Sequence, residues 1–227
     1  MSLHQLANDL WAATGRVRFV GLWVPTRMLV IRLPNGALWV HSPIALDPEI
    51  VRDVASLGRV GHLIGSSKYH HLWLADWARH YPDAKVHGAP GLPEKRRDII
   101  FHEVLGDEAP ADWRGLLDQI VFRGLPIFNE VIFLHRASRT LIVTDLVFNV
   151  YEAEGVLAPV AMRLNGMWKR FGPSRSLRLM MSRNRERAKE DLKRIQQWNY
   201  DRVIMAHGRV MEGGGREAME SAFAFLA

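Results

Sequence analysis

The sequence predicts an α/β protein in which mixed β-sheets are covered by helices. Two pairs of β-prone runs, one in each half of the chain, are each joined by a short turn and therefore indicate hairpins. Apolar residues at helical spacing follow later in each half. Because hairpin strands are antiparallel, this order favours mixed sheets over a doubly wound parallel sheet. The length of 227 residues suits one domain, 1–227.

The first half begins with apolar runs at 28–33 and 37–41, separated by Pro34, Asn35 and Gly36. Asn-Gly tolerates the positive φ angles of a tight turn, so these runs are expected to form a hairpin. A helix should follow, because Asp47 and Pro48 suit its N-cap and first position, and Gly58 suits its end. The next expected elements are a strand over 60–64, a helix over 72–81 and a strand over 84–87.

The second half has strand-like runs at 119–122, 130–135 and 140–144, and the last two are expected to form the second hairpin. A helix is predicted over 183–198, with Ala188, Leu192 and Ile195 on its inner face. A strand over 201–206 then ends at His207 and Gly208. A helix over 216–226 closes the chain.

Composition limits the chemistry that the chain can perform. It has no cysteine and 10 histidines, which excludes disulfides, thiolate zinc sites and a cysteine nucleophile. Any metal must be held by imidazole and carboxylate, which suit Zn, Fe or Mn. The N-terminal residues lack the features of a secretory signal, and no apolar run approaches membrane-spanning length. We therefore predict a cytoplasmic protein without a transmembrane segment.

The formal net charge of +6 is concentrated between Lys169 and Arg194. Such a segment attracts a nucleic acid, an acidic partner or an anionic membrane surface, or is simply a solvated helix face. It contains few aromatic residues and no base-reading motif. We therefore predict a solvated surface and no nucleic-acid partner. The sequence identifies neither a small-molecule substrate nor an oligomeric state.

Three loops place polar, ligand-type residues directly after predicted buried strands, where a rigid scaffold commonly presents functional groups. The first loop runs from Ser66 to His71, the second contains Thr144 and Asp145, and the third begins at His207. Each of the three is separated from the others by a long stretch of chain. Only the fold can bring them together.

These three loops resemble the metallo-β-lactamase superfamily. Its members carry a His-x-His-x-Asp-His loop after a strand, another His mid-chain, an Asp after a hairpin strand and a His-Gly near the end. The segments 36–42, 81–86, 138–148 and 203–208 are similar to its connecting and ligand segments, so the resemblance covers nearly the whole chain. It is strongest for small lactamase-like proteins with a degenerate first motif. It implies a four-layer αββα sandwich of two mixed β-sheets flanked by helices.

The resemblance also implies which ligands are missing. With His71 on the last His of the first motif, Ser66 and Lys68 fall where two His ligands belong, and His70 falls where the Asp belongs. No His lies at 124–129, where the mid-chain ligand is expected. The first metal position of the family is therefore dismantled.

The second metal position keeps His71, Asp145 and His207, with His70 as the expected fourth ligand. The expectation is one divalent ion at most, zinc ahead of iron or manganese, and no ion if the cluster is vestigial. Lys68 either places its ammonium near the vacated position, in a catalytic role, or points to solvent. His41 stands where the family usually has an Asp that supports the ligands.

The resulting functional hypothesis is a mononuclear metal-dependent hydrolase of unknown substrate. The ion would polarise a carbonyl or phosphoryl oxygen, and Asp145 or a free imidazole would accept the proton. The alternative is a non-catalytic lactamase-like fold that binds a ligand or a partner. A nucleic-acid-processing protein has only the charge in its favour, and di-iron oxidoreductase chemistry is disfavoured because it needs the complete ligand set.

Overall fold

The computed structural model describes residues 2–19, 21–153, 155 and 157–227. Within this part of the chain, the first sheet has seven strands that neighbour one another in sequence order. They are β1 (His4–Ala7), β2 (Leu10–Phe19), β3 (Leu22–Arg32), β4 (Leu38–His41), β5 (Val60–Gly65), β6 (Lys85–Gly88) and β7 (Glu103–Val104). Strands β1 to β4 pair antiparallel, and β4 to β7 pair parallel. The first sheet is therefore mixed, as the sequence predicts.

The second sheet has the strand order β13-β10-β9-β8 in the described residues. Its strands are β8 (Leu117–Phe122), β9 (Glu130–His135), β10 (Thr140–Ile142) and β13 (Arg202–Ile204). β8, β9 and β10 pair antiparallel, whereas β10 and β13 run parallel. A small ribbon pairs β11 (Phe148–Asn149) with β12 (Phe171–Gly172).

Helices cover the outer faces of both main sheets. They are α1 (Pro48–Leu57), α2 (Leu74–His80), α3 (Leu92–Lys95), α4 (Leu157–Leu164), α5 (Arg175–Arg183), α6 (Arg185–Gln196) and α7 (Gly215–Phe223), with a 3₁₀ turn at Ala224–Leu226. One apolar cluster joins α1 and α2 to the first sheet, and another joins α5, α6 and α7 to the second. A third lies between the sheets. The layers are thus α, β, β and α, and the predicted sandwich is confirmed.

Strand β3 shows why both faces of the first sheet are apolar. Successive side chains of a strand point to opposite faces. Leu29 and Ile31 accordingly pack between the sheets, whereas Met28 and Val30 pack under the helices. Each fully buried side chain of this kind contributes about 1.5–3 kcal/mol relative to exposure. The continuous apolar stretch from Met28 to Ile31, which is buried on both faces, is typical of the inside of a four-layer protein.

The predicted hairpin around Gly36 and the predicted start of α1 at Pro48 are confirmed. The hairpin pairs Val30 with Val40, and Gly36 turns at a φ of +80°. Asp47 caps α1 by accepting a hydrogen bond from the amide of Glu49. The predicted helix over 183–198 begins instead at Arg185, because Asn184 separates α5 from α6.

The long β2–β3 hairpin was not predicted, because no local pattern indicates an element before residue 28. Gly15, Pro25 and the arginines at positions 16, 18 and 27 interrupt the apolar pattern in this part of the chain. Among the helices of the described residues, none is both long enough and apolar enough to cross a bilayer.

Two buried histidines lie side by side on β5 and β6, away from the three loops singled out above. Nδ1 of His62 is 3.1 Å from Nε2 of His87, and the ring of Trp113 meets both edge-on. Burial, together with the positive potential of His62, His102 and Lys85, lowers the pKa of His87 to about 3. Burial also lowers the pKa of His62, although Asp112 raises it in part. The imidazole of His87 is therefore neutral in the folded protein near pH 6, and the lowered pKa of His62 favours its neutral form.

We expect this pair to make folding sensitive to acid. Below pH 6.5 the unfolded chain protonates His87 while the folded chain does not, so stability present at neutral pH is lost as the pH falls towards 3. Each histidine that stays neutral contributes a slope of up to about 1.4 kcal/mol per pH unit. Urea unfolding between pH 5 and 6.5 measures it. His87→Gln should flatten the slope, whereas the exposed His80→Gln should not; equal slopes in all three proteins would contradict the prediction.

Candidate metal centre

Three loops after strands meet at one edge of the sandwich. The chain leaves β5 at Gly65 and reaches His70, leaves β10 at Ile142 and reaches Asp145, and leaves β13 at Ile204 and reaches His207. β10 and β13 are parallel neighbours, with Leu141 opposite Val203, so their carboxyl ends lie side by side. The ligand atoms of His70, Asp145 and His207 all lie within 4.8 Å of one another.

Asp145 stands between the two imidazoles. Its Oδ2 is 3.4 Å from Nε2 of His70, and its Oδ1 is 3.3 Å from Nε2 of His207. Burial raises the pKa of Asp145, but the two imidazoles lower it more, so the net pKa lies well below its usual range. The carboxyl group is therefore anionic at neutral pH and presents one oxygen to each ring.

The ring of His207 is held from the first sheet. Its Nδ1–H donates to the carbonyl oxygen of Pro25 at 2.6 Å, so Nε2 is the nitrogen that faces Asp145. Phe148 stacks on the ring at a centroid distance of 5.8 Å. Burial lowers the pKa of His207, but the hydrogen bond and charge of Asp145 raise it above its usual value. A histidine whose second nitrogen donates to a carbonyl is oriented as metal-binding histidines are.

The guanidinium of Arg27 fixes the main chain around His207. It donates to the carbonyl oxygen of Met205 and, at 2.7 Å, to that of Gly208. Gly208 has a φ of +104°, and an added Cβ there would lie 2.3 Å from the carbonyl oxygen of Asn149. A side chain would therefore push this loop away from its neighbour, which explains the glycine after His207.

Glu130 supports Asp145 from behind. This fully buried residue begins β9, and its carboxyl oxygens accept hydrogen bonds from the backbone amides of Thr144 and Asp145. Burial and the nearby charge of Asp145 raise the pKa of Glu130 to about 7, although the two amides act to lower it. Glu130 was not among the functional residues predicted from the sequence. An acid at the head of an otherwise apolar strand was the available signal.

The loop that carries His70 is fixed by Ser67, whose hydroxyl oxygen accepts hydrogen bonds from the amides of Tyr69 and His70, both at 3.1 Å. The preceding residue, Ser66, is fully buried, and its hydroxyl lies 2.9 Å from that of Ser42. Ser66 is thus engaged with another hydroxyl at the place where the family resemblance puts a histidine ligand.

The structure does not place His71 in this cluster, in contrast to the sequence-based expectation. Nδ1 of His71 accepts a hydrogen bond from Nη1 of Arg96 at 2.8 Å. Burial, together with the charges of Lys95 and Arg96, lowers its pKa to about 4. The neutral ring thus carries its proton on Nε2 and has no free lone pair for an ion. His70 and His71 lie in the same turn but have different partners, Asp145 and Arg96, so they are not interchangeable.

Lys68 also lies elsewhere than the predicted catalytic position. Its ammonium donates to the carbonyl oxygen of Pro126 at 3.3 Å, on the exposed side of the loop. It does not line the cavity above the cluster. The alternative expectation for Lys68 was a side chain that points to solvent, and the half-buried residue instead has its ammonium on a backbone carbonyl.

His41 is buried beside the cluster at the end of β4. It stacks on Trp39 at a centroid distance of 5.4 Å and meets the edge of Phe133. Neither ring nitrogen has a hydrogen-bond partner among the described residues. Burial and the charge of His70 lower the pKa of His41 to about 3. His41 is thus a neutral imidazole whose two nitrogens form no hydrogen bond with the described residues.

A cavity of about 470 Å³ opens above His70, Asp145 and His207. This volume lies in the range of small-molecule sites. Its walls are mostly apolar, and one side carries three flexible methionines, Met162, Met167 and Met180. Arg18 is the only Lys or Arg side chain among the described lining residues. A ligand with an apolar body and few charges is the best match to such walls.

The three donors fit a divalent ion. Two imidazoles and one carboxylate form a ligand set found in catalytic zinc sites and in mononuclear iron sites. One imidazole is already oriented by a carbonyl, and the carboxylate is anionic and supported by Glu130. The residues at the cluster can therefore hold one ion through His70, Asp145 and His207.

The fold is that of known metal enzymes. DIM-1 metallo-β-lactamase superposes with a TM-score of 0.68 over 99% of this chain and 97% of its own, at 14% sequence identity. A metallo-β-lactamase from Pontibacter korlensis gives a TM-score of 0.63 over 98% of both chains, at 11% identity. Rubredoxin oxygen:oxidoreductase from Desulfovibrio gigas gives 0.71 at 10% identity, and the match covers 99% of this chain and 61% of that one. At these identities the likeness establishes the fold alone.

Comparison with the curated proteins finds no significant match to the sequence. A protein-family model does match it over residues 7–165. The matched segment contains His70 and Asp145, whereas His207 lies beyond it. Because this match spans more than half of the chain, the protein belongs to the family described as a domain of unknown function, DUF4336.

Proposed function

We propose that the protein is a mononuclear metal-dependent hydrolase that acts on a small molecule with an apolar body. The observation that carries the proposal is the convergence of His70, Asp145 and His207, with ligand atoms within 4.8 Å of one another. The apolar cavity directly above them supports a small-molecule substrate rather than a polymer. Zinc is the proposed ion, since two imidazoles and a carboxylate leave it an open position.

In this proposal the residues of the chain bind and orient. Nε2 of His207 is presented by the Pro25 carbonyl, and Nε2 of His70 by a loop that Ser67 fixes. The bound ion would supply a Lewis acid and a water of lowered pKa. The low pKa of Asp145 favours a ligand role over that of a proton acceptor. The apolar walls would exclude bulk water and strengthen the electrostatic interactions at the cluster.

The second candidate is a non-catalytic binding protein. The specific observation in its favour is that His70, Asp145 and His207 already satisfy one another electrostatically, with two imidazoles against one carboxylate. Ser66 and Ser42, hydrogen-bonded to each other, also offer poor ligands for a second ion. In this case the cavity would take an apolar ligand, and the cluster would bind only its polar group.

Elemental analysis combined with an ester assay tests the proposal. Protein purified without added metal or chelator should contain up to one equivalent of zinc. Hydrolysis of p-nitrophenyl hexanoate should exceed that of the acetate, stop on chelation and return with zinc. Iron in place of zinc would contradict the choice of ion, and two tightly bound equivalents would contradict the single site. No metal under metal-replete conditions would favour the binding protein.

A further inference from the structure

A group of exposed apolar side chains lies on α4, the helix whose buried side lines the cavity through Met162. On α4, Leu157, Val160 and Leu164 form one stripe at helical spacing and are 74%, 46% and 71% exposed. The opposite side of the helix packs inward through Ala158 and Met162, and Met162 lines the cavity. α5 adds an exposed Leu179. We call this stripe, with Leu179, the α4–α5 face.

Exposed apolar residues also rim the cavity itself. Tyr69, Leu72 and Ile127 line it while remaining more than a third exposed. The exposed apolar surface of the described residues thus includes the rim of the cavity and, on the other side of α4 from Met162, the α4–α5 face. Exposed apolar patches on a protein surface mark interaction sites.

All charged residues in the same part of the chain are cationic. No Asp or Glu occurs between positions 157 and 185, which contain Arg163, Lys169, Arg170, Arg175, Arg178, Arg183 and Arg185. Arg170 and Arg175 both reach Gly166 at the end of α4, and Arg175 donates to the carbonyl of Leu164. In the described part of the chain, Arg163, Lys169 and Arg170 form no ion pair with a carboxylate. These cations thus border the apolar stripe.

We propose that the α4–α5 face docks on an anionic membrane surface. Aliphatic side chains flanked by cations match the apolar and anionic layers of such a surface. A nucleic acid would use the cations but would gain little from exposed leucines. A second copy of the chain would bring two identical cationic patches together, and such like-charge contacts are unfavourable. The inference does not depend on a bound metal.

Sedimentation with sucrose-loaded vesicles tests the docking. Vesicles of phosphatidylcholine mixed with phosphatidylglycerol should bind the protein, and vesicles of phosphatidylcholine alone should bind it at least about tenfold less. The apolar variant, Leu157→Gln with Leu164→Gln, should lose about tenfold or more. The charge variant, Arg163→Gln with Lys169→Gln and Arg170→Gln, should lose at least as much. All of these side chains are exposed, so folding, checked by circular dichroism, should be retained.

Matched controls carry the same changes elsewhere. Ile100→Gln with Val104→Gln removes two exposed apolar residues, and Arg52→Gln with Arg97→Gln and Lys193→Gln removes three exposed cations. Both should bind like the wild type. The proposal is overturned if wild-type protein ignores anionic vesicles or if the controls lose as much as the variants. It is also overturned by a dimer in sedimentation velocity that the apolar variant dissociates, or by RNA binding that only the charge variant loses.

Discussion

Replacing His207 or Asp145 with alanine is expected to weaken zinc binding at least about 100-fold, because each change removes one of only three converging ligands. His70→Ala should have the same effect. The measurement is a competition titration with a chromophoric chelator on protein first stripped of metal. Unfolding curves of the stripped variants show whether the loss of affinity reflects the ligand or the fold.

The neighbouring residues provide the controls. His71→Ala should keep zinc affinity within about threefold, because the His71 ring accepts from Arg96 and does not face the cluster. Lys68→Ala should also keep it, because its ammonium lies at the Pro126 carbonyl. Loss of the ion in His71→Ala with retention in His70→Ala would restore the ligand set that the family resemblance implied. This result would contradict the assignment of His70, Asp145 and His207 as the ligands.

The second large effect is expected at Glu130. Glu130→Ala leaves the buried amides of Thr144 and Asp145 without an acceptor, and each such group costs about 1–3 kcal/mol. Glu130→Gln should cost less, since its carbonyl oxygen can keep one of the two hydrogen bonds. Zinc affinity should fall in both, by about 10- to 100-fold, because the Asp145 loop loses its support. Urea unfolding and the chelator titration measure the two effects.

The exposed Glu94 offers a matched control for removing one carboxylate. Glu94→Gln should change the free energy of unfolding by no more than about 0.5 kcal/mol and leave zinc affinity unchanged. If Glu130→Gln destabilises the fold but binds zinc as the wild type does, Glu130 supports the sheet and not the cluster.

Local patterns in the sequence predicted the hairpins, the helices and the mixed sheets, whereas the four-layer arrangement was implied by the family resemblance. Alternation, turn residues and caps are visible in short windows, as at the Asn35–Gly36 turn and the Asp47 cap. The β2–β3 hairpin was not predicted because its arginines and Pro25 interrupt the alternation of apolar and polar residues. Two of these residues, Pro25 and Arg27, hold His207 and its main chain in place. Residues that support the site often break the alternation expected of a strand, and a prediction from local patterns therefore overlooks them.

At the candidate site, the sequence predicted the three loops but not which histidine of the first loop faces Asp145 and His207. His70 and His71 are adjacent and chemically identical, and their roles are separated by Ser67 and Arg96. Arg96 is far along the chain and carries no motif. Only the folded loop therefore distinguishes the two histidines.

The hydrogen bond from His207 to Pro25 joins residues that are 182 positions apart in the chain. Contacts between distant positions require closure of long loops and tend to form late in folding. Each sheet can acquire its own hydrogen bonds before this contact exists. The cluster of His70, Asp145 and His207 therefore has its final geometry only when the two sheets have docked. A ligand that binds only the assembled cluster would shift the folding equilibrium towards the docked state by mass action.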